Sequence, residues 1–126
     1  MKLRIRGNSV RIRVSQPEFA EITSGVLVED STEFGPGSRL SYRVEVVADG
    51  AISASYEGDC VKVMLPRAAI DRWQRPEEVA IEAEKPVGDG RRLKILVEKD
   101  FACLAPRVGE EEDDEDLFPN PGQTRA

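Results

Sequence analysis

The sequence predicts a mostly β protein: a β-barrel with two short helices, followed by an acidic tail. Apolar and charged residues alternate with a period of two in several short segments, which is typical of half-buried strands. Turns rich in glycine separate these segments. The same order of segments occurs twice, 51 residues apart, which favours an internal duplication.

The chain of 126 residues, 40% of them hydrophobic, suits one domain with a modest core. We expect a single domain at 1–104, with halves at 1–50 and 51–104, and a mobile tail at 105–126. No run of about 18 apolar residues predicts a membrane span. The first residues alternate in charge and lack the apolar block of a signal peptide, so we expect a cytoplasmic protein with no membrane partner.

The first half is predicted to fold as strand–strand–helix–strand–strand. Two alternating runs, 1–6 and 9–14, flank a turn at Gly7-Asn8. The segment 15–25 has the features of a helix, with a capping box and a C-terminal glycine. Strands at 26–33 and 40–47 follow, on either side of a Gly-Pro-Gly turn.

Adding 51 to each number gives the second half without a gap. Gly7 falls on Gly58, and Ile12 falls on Val63. In the same register Val28 falls on Val79. A four-stranded half cannot bury its apolar face alone, so we expect both halves to close about a pseudo-two-fold axis into one barrel.

Charge is distributed unevenly along the chain. The net charge is −6, but residues 110–116 (EEEDDED) carry seven acids, and residues 1–109 contain equal numbers of cations and acids. The segment 105–126 combines this acidic block with three prolines and few apolar residues. Such a composition cannot offset the entropy of ordering, which predicts a mobile tail.

Five cations and no acid occur in the first 14 residues, and we call them the basic ladder. They either form a binding face for nucleic acid, a phosphorylated ligand or an acidic partner, or are the solvated side of two strands. Cations this close repel one another and need counter-charge, for which the acidic tail is a candidate. The members are Lys2, Arg4, Arg6, Arg11 and Arg13.

A second set of candidate residues, Glu98, Lys99, Asp100 and Cys103, closes the last predicted strand. This polar cluster has the groups for acid–base work or cation binding, but it also fits an ordinary strand end. The sequence contains no histidine to activate Cys103. We predict no catalytic residue, no metal site and no cofactor.

Leu117 and Phe118 are apolar residues that directly follow the acidic block. Apolar pairs in acidic tails serve as short partner-binding segments. The alternative is that they pack on the protein's own barrel.

The first hairpin has a Gly-Asn-Ser turn at Gly7, Asn8 and Ser9, followed by Ile12, Arg13 and Val14. In these residues it resembles the swapped-hairpin DNA-binding domains of the AbrB and MazE type. That resemblance implies interlaced strand–strand–helix–strand–strand units, here fused into a pseudo-dimer, so we expect a monomer. The second copy lacks the basic ladder: the equivalent residues are Ser53, Ser55, Glu57, Lys62 and Met64. In the second half Gly58, Val63, Leu65 and Pro66 fit the same pattern.

The chain as a whole is also similar to a small bacterial family of uncharacterised proteins, through its LRIRGNSVRIR and LVEKDFACL segments. We therefore expect a non-enzymatic binding module with a basic strand face and a partner-binding acidic tail. One alternative is a nucleic-acid-binding regulator or antitoxin of the AbrB/MazE type. The other is a small ligand-binding or enzymatic barrel acting near residues 98–103.

Overall fold

A computed structural model of the protein describes residues 1–100. Strands make up 59% of these residues, which confirms a mostly β fold. The predicted domain end at 104 and the predicted tail lie outside the described residues. The elements are β1 (Lys2–Arg6), β2 (Ser9–Val14), α1 (Gln16–Thr23), β3 (Val28–Gly35), β4 (Ser38–Val47), β5 (Ser53–Glu57), β6 (Cys60–Pro66), α2 (Arg67–Trp73), β7 (Ala80–Gly88) and β8 (Arg91–Lys99).

The first hairpin forms as its alternating pattern predicts. In β2 the apolar residues Val10, Ile12 and Val14 are buried, while the polar residues between them are half-buried. Gly7 turns the chain into β2 with φ +56°, and Gly58 does the same in the second half with φ +58°. Both lie in the left-handed region that glycine adopts without strain.

The helix α1 starts with the predicted capping box. The Ser15 hydroxyl accepts from the Glu18 backbone N–H at 3.4 Å, and the Glu18 carboxylate accepts from the Ser15 N–H at 2.8 Å. The helix stops before Gly25, which has φ +90°. The equivalent helix α2 follows Pro66, which provides no side-chain cap.

The strands form two four-stranded sheets, and each sheet combines one hairpin from each half. The first sheet has the order β1-β2-β8-β7, and the second has the order β3-β4-β6-β5. The hairpins are antiparallel, whereas the central pairs β2–β8 and β4–β6 are parallel. Each half therefore completes its sheets only with strands of the other half.

A single closed sheet is not found among residues 1–100, because no strand ladder connects the two sheets. The predicted closed barrel is thus not confirmed. The two sheets instead share one apolar interior. Its largest fully buried side chains are Ile12, Val14, Ile22, Val44, Val63, Leu65, Ile70, Trp73, Ile81, Ile95 and Val97.

The two halves have equivalent strand pairing, but the offset changes along the chain. Ile12 pairs with Val97 in the first sheet, and Val63 pairs with Val44 in the second. Equivalent residues are therefore 51 apart in the first two strands and 53 apart in the last two. The gap-free register is wrong beyond the helices, since the loop 74–79 is two residues longer than the loop 24–27.

The offset of 53 in the last two strands accounts for the burial of their side chains, which a uniform offset of 51 does not. Val79, which the uniform register equates with buried Val28, is 48% exposed, whereas Ile81 is buried. Val28 pairs with Val44, just as Ile81 pairs with Val97. The β-bulges also match, since each precedes a glycine, Gly35 in β3 and Gly88 in β7.

All four hairpin turns lie at one end of the two sheets, and the helices lie at the other end. Strand β2 leaves its turn beside the start of β8, where the Asn8 amide donates to the Arg92 carbonyl oxygen at 2.6 Å. It reaches Val14 beside the end of β8 and enters α1 there. This layout leaves the turn end without a covering helix.

Candidate functional site

The structure brings the five cations of the basic ladder onto the outer face of the first sheet. In the β1–β2 hairpin Lys2 pairs with Arg13, and Arg4 pairs with Arg11. Directly paired residues of antiparallel strands share a face, so these side chains are neighbours. Arg6 continues the row next to the turn.

Two residues of the predicted polar cluster provide counter-charge for the ladder. Oε1 of Glu98 lies 2.6 Å from Nε of Arg13 and 3.8 Å from Nε of Arg11. The Asp100 carboxylate lies 3.5 Å from Nζ of Lys2. The sequence suggests the acidic tail as a candidate source of counter-charge. In the structure β8 supplies part of that charge, because β8 is the parallel neighbour of β2.

The part of the ladder nearest the turn surrounds a shallow depression of about 160 Å³. Arg4, Arg6 and Arg11 line it together with Lys94 of β8. The apolar side chain of Leu96, which pairs with Arg11, lies among these cations. We call this site the basic depression. Within residues 1–100 Arg6 forms no ion pair, and the side chains of Arg4, Arg6 and Lys94 are exposed.

Lys99 is not part of a cluster with Glu98 and Asp100. Successive side chains of a strand point to opposite faces, which separates it from both acids. Its ammonium group donates to the Arg75 carbonyl oxygen at 3.2 Å and lies 5.0 Å from the centre of the Phe19 ring. The structure therefore does not assemble the carboxylate–amine–carboxylate group, and Cys103 lies outside the described residues.

The carboxylate of Glu18, which lies beside the Met1 ammonium group, has a lowered pKa. Burial raises the pKa of Glu18, but hydrogen bonds from the Met1 ammonium group, at 2.7 Å, and from Ser15 outweigh that effect and lower it. Glu18 is therefore held in its charged form, where it fixes the beginning of β1 against α1.

The outer face of the second sheet differs sharply in charge from that of the first. At the positions equivalent to the ladder only Lys62 is a cation, and it lies 3.4 Å from the Glu57 carboxylate. Glu29 and Glu33 on β3 are exposed acids, and they pair across the strands with Arg43 and Arg39 of β4. Cations and acids are therefore mixed on this face. The excess of positive charge is thus a property of one sheet rather than of both.

Sequence reasoning missed Lys94 and Leu96. The alternation in β8 places both on the face of Glu98, which is a readable signal. What cannot be read from the sequence is that β8 lies parallel to β2. The predicted tail residues Leu117 and Phe118 lie outside the described residues.

One family model matches most of the chain, over residues 1–122, which include both halves and most of the segment after them. The chain belongs to DUF7009, a family of unknown function. No curated protein matches the sequence.

Two further observations apply to the described part of the chain. No helix within residues 1–100 is long and apolar enough to span a membrane. In the same range no three His, Cys, Asp or Glu side chains come close enough together to hold a metal ion.

Proposed function

We propose that the protein is a non-enzymatic binding module that takes an acidic segment of a protein partner on the outer face of its first sheet. The observation that carries this proposal is the basic depression, in which Arg4, Arg6, Arg11 and Lys94 surround one site. Converging cations focus a positive potential that attracts anionic groups. Guanidinium groups also bind carboxylates in a bidentate manner.

The composition of the depression favours a peptide over a bare anion. Leu96 provides an apolar contact between the cations, so a segment that mixes acidic and apolar side chains matches both features. Glu98 neutralises charge at the far end of the ladder, next to Arg13. An acidic segment therefore finds its strongest attraction at the turn end, near Arg6.

A nucleic-acid-binding role of the AbrB/MazE type is the second candidate. The interlaced sheets support it, because each half pairs with strands of the other half as the resemblance implies. A two-fold DNA contact needs basic residues on both halves, since phosphate neutralisation drives affinity. On the outer face of the second sheet cations are paired with acids, as Arg39 is with Glu33 and Lys62 with Glu57, and this lack of excess positive charge counts against the candidate.

We also propose that the two halves arose by duplication and that the chain is a monomeric pseudo-dimer. The matching element order and the matching bulges support a common origin. Offset by 53, the residues Gly35, Gly37, Arg39, Leu40, Val44 and Glu45 meet identical residues in the second half. A fused pair already contains the pairing that separate units obtain by dimerising.

Fluorescence anisotropy of the full chain with two probes tests the binding role. One probe is a peptide of alternating Glu and Leu, and the other is a random DNA duplex, both at about 50 mM salt to limit screening. We expect the peptide to bind more tightly than the duplex. Arg11→Gln combined with Lys94→Gln should weaken peptide binding by about tenfold, as expected for losing two charged contacts.

The matched control is Lys62→Gln, the equivalent of Arg11 in the second sheet, and it should leave peptide binding unchanged. Tighter binding of the duplex, lost in the same double variant, would replace the protein-partner proposal with the nucleic-acid candidate. Binding of neither probe would overturn the proposed binding of an external partner at the basic depression.

A further inference from the structure

The interior of the protein is open at the turn end. An apolar groove of about 570 Å³ lies there between the inner faces of the two sheets. Both halves contribute equivalent residues, as Ile5 and Tyr56 show in the first strand of each half. The main apolar residues that line the groove are Ile5, Val10, Leu40, Tyr56, Val61 and Leu93.

The rim of this groove exposes large apolar side chains. Ile5 is 58% exposed and Tyr56 is 61% exposed. The charged group in the lining, the Lys85 ammonium, donates to the Ala54 carbonyl oxygen at 2.7 Å and is thereby held against β5. Contiguous apolar surface in a groove marks a site for apolar side chains.

The groove and the basic depression share the edge strand β1. Ile5 points into the groove, whereas its neighbours Arg4 and Arg6 line the depression on the outer face. Val10 contributes to both sites. A segment in which acidic residues are followed directly by apolar residues would therefore contact both sites without a break.

We propose that this groove is the docking site for the chain's own segment around Leu117 and Phe118. These two residues follow the acids 110–116 directly, so the order of charge and apolarity along the chain matches the order of the two sites. The acids lie against the basic depression, and Leu117 and Phe118 enter the groove over β1. The inference uses the positive charge of the proposed binding face but not its external partner.

The chain is long enough for this contact. Strand β8 ends at the helix end, where the Asp100 N–H donates to the Val14 carbonyl oxygen at 2.9 Å. The groove residue Leu93 is seven residues back along β8, or about 23 Å. The 17 residues from Asp100 to Leu117 span up to about 56 Å when extended.

A second copy of the protein is a poorer occupant on grounds of charge. A two-fold contact through the groove would bring Arg4 and Arg6 of each copy towards the same residues of the other. Like charges across an interface are unfavourable. The acidic segment 110–116, in contrast, meets this rim with opposite charge and is tethered to the same molecule.

Docking of this segment makes the tail a built-in competitor of an external acidic partner. Both use the basic depression, so a partner must displace the acids 110–116 before it binds. The strength of the contact between the groove and Leu117 and Phe118 then determines how strongly the tail competes with the partner.

Paramagnetic relaxation in the full chain tests the docking. A nitroxide is attached through Asn120→Cys in a Cys60→Ala, Cys103→Ser background, which leaves position 120 as the labelling site. We expect loss of amide signal at Ile5, Tyr56 and Leu93, and unchanged signals in α1. The loss should disappear in Leu117→Ser/Phe118→Ser and persist in the matched tail variant Val108→Ser.

Unchanged signals around the groove would overturn the proposal, as would loss that persists in Leu117→Ser/Phe118→Ser. Mixing nitroxide-labelled protein with isotope-labelled, spin-free protein identifies contacts between copies. Groove signals lost in that mixture would assign the groove to a second copy.

The peptide titration separates this inference from the proposed function. If the tail competes, Leu117→Ser/Phe118→Ser should bind the Glu-Leu peptide several-fold more tightly than the unsubstituted chain. If neither chain binds the peptide while the groove signals are lost as expected, the partner proposal fails and the docking stands.

Discussion

Nε of Arg13 lies 2.6 Å from Oε1 of Glu98, although the two residues are 85 positions apart in the chain. This contact joins β2 of the first half to β8 of the second, beside the parallel ladder between the two strands. Both side chains are largely covered, at 28% and 14% exposure. The contact thus stabilises the junction of the halves and limits the positive charge of the ladder.

Replacing Glu98 by Gln should lower the free energy of unfolding by about 1–3 kcal/mol, because Arg13 then loses a charged partner in a covered site. The matched control is Glu45→Gln at the equivalent position. The Glu45 carboxylate is 3.7 Å from Nη1 of Arg43 and is 32% exposed, more than twice the exposure of Glu98, so its loss should be under about 1 kcal/mol. Urea denaturation measures both values. Equal losses would show that the Arg13–Glu98 pair adds nothing particular to the junction.

Glu18 should make stability depend on pH in the acid range. Its pKa is lowered in the folded state, so its contribution is fully present above the pKa of the unfolded chain. That contribution is lost as the pH falls through the lowered pKa of the folded state. At neutral pH Glu18→Gln should cost about 1 kcal/mol, and the difference from the unsubstituted chain should shrink on acidification.

Urea denaturation at a series of pH values checks this dependence. Glu21→Gln, on an exposed position of the same helix, serves as the control and should show no such trend. A Glu18→Gln cost that is constant from neutral to acid pH would contradict the role of the charged carboxylate.

The 53-residue offset of the last two strands predicts which valine matters. Val28→Ala should cost about 2 kcal/mol, because the side chain is buried against β4. Val79→Ala should cost less than about 0.5 kcal/mol, as is usual for exposed positions. Ile81→Ala, the structural equivalent of the Val28 change, should cost about 2–5 kcal/mol. Thermal unfolding of the three variants ranks them, and a larger loss at Val79 than at Ile81 would favour the uniform offset.

The two halves should assemble from separate chains. A break in the segment 48–52 between β4 and β5 interrupts neither sheet, since the halves are joined by the β2–β8 and β4–β6 ladders. Co-expressed fragments 1–49 and 50–126 should therefore co-purify and give an NMR spectrum close to that of the intact chain. Fragments that each fold alone and do not associate would contradict the interlaced pairing.

Local patterns in the sequence predict the strands, the turns and the helices because each depends on neighbouring residues. The Ser15–Glu18 capping box and the Gly7 turn are examples in which three or four residues determine the geometry. Strand β2 pairs with β1 on one side, as the hairpin predicts. Its partner on the other side lies more than 80 positions away in the chain. No local pattern indicates that this partner is β8, or that Glu98 faces Arg13.

The corrected register shows a second limit of sequence reasoning. Two extra residues in the loop 74–79 leave both halves' alternation intact, because a shift of two keeps every side chain on its face. The periodicity therefore fits offsets of 51 and 53 equally well. The pairing partners of Val28 and Ile81 distinguish them.

The parallel ladder between β2 and β8 has a consequence for synthesis of the protein on the ribosome. Strand β2 is made early, yet its neighbour at 91–99 is among the last described segments to emerge. Until then the apolar side of the first hairpin has no sheet to complete it, and the nascent chain exposes a strand edge open to wrong pairing. Chaperone dependence of expression, rather than the stability of the finished fold, would reveal that interval.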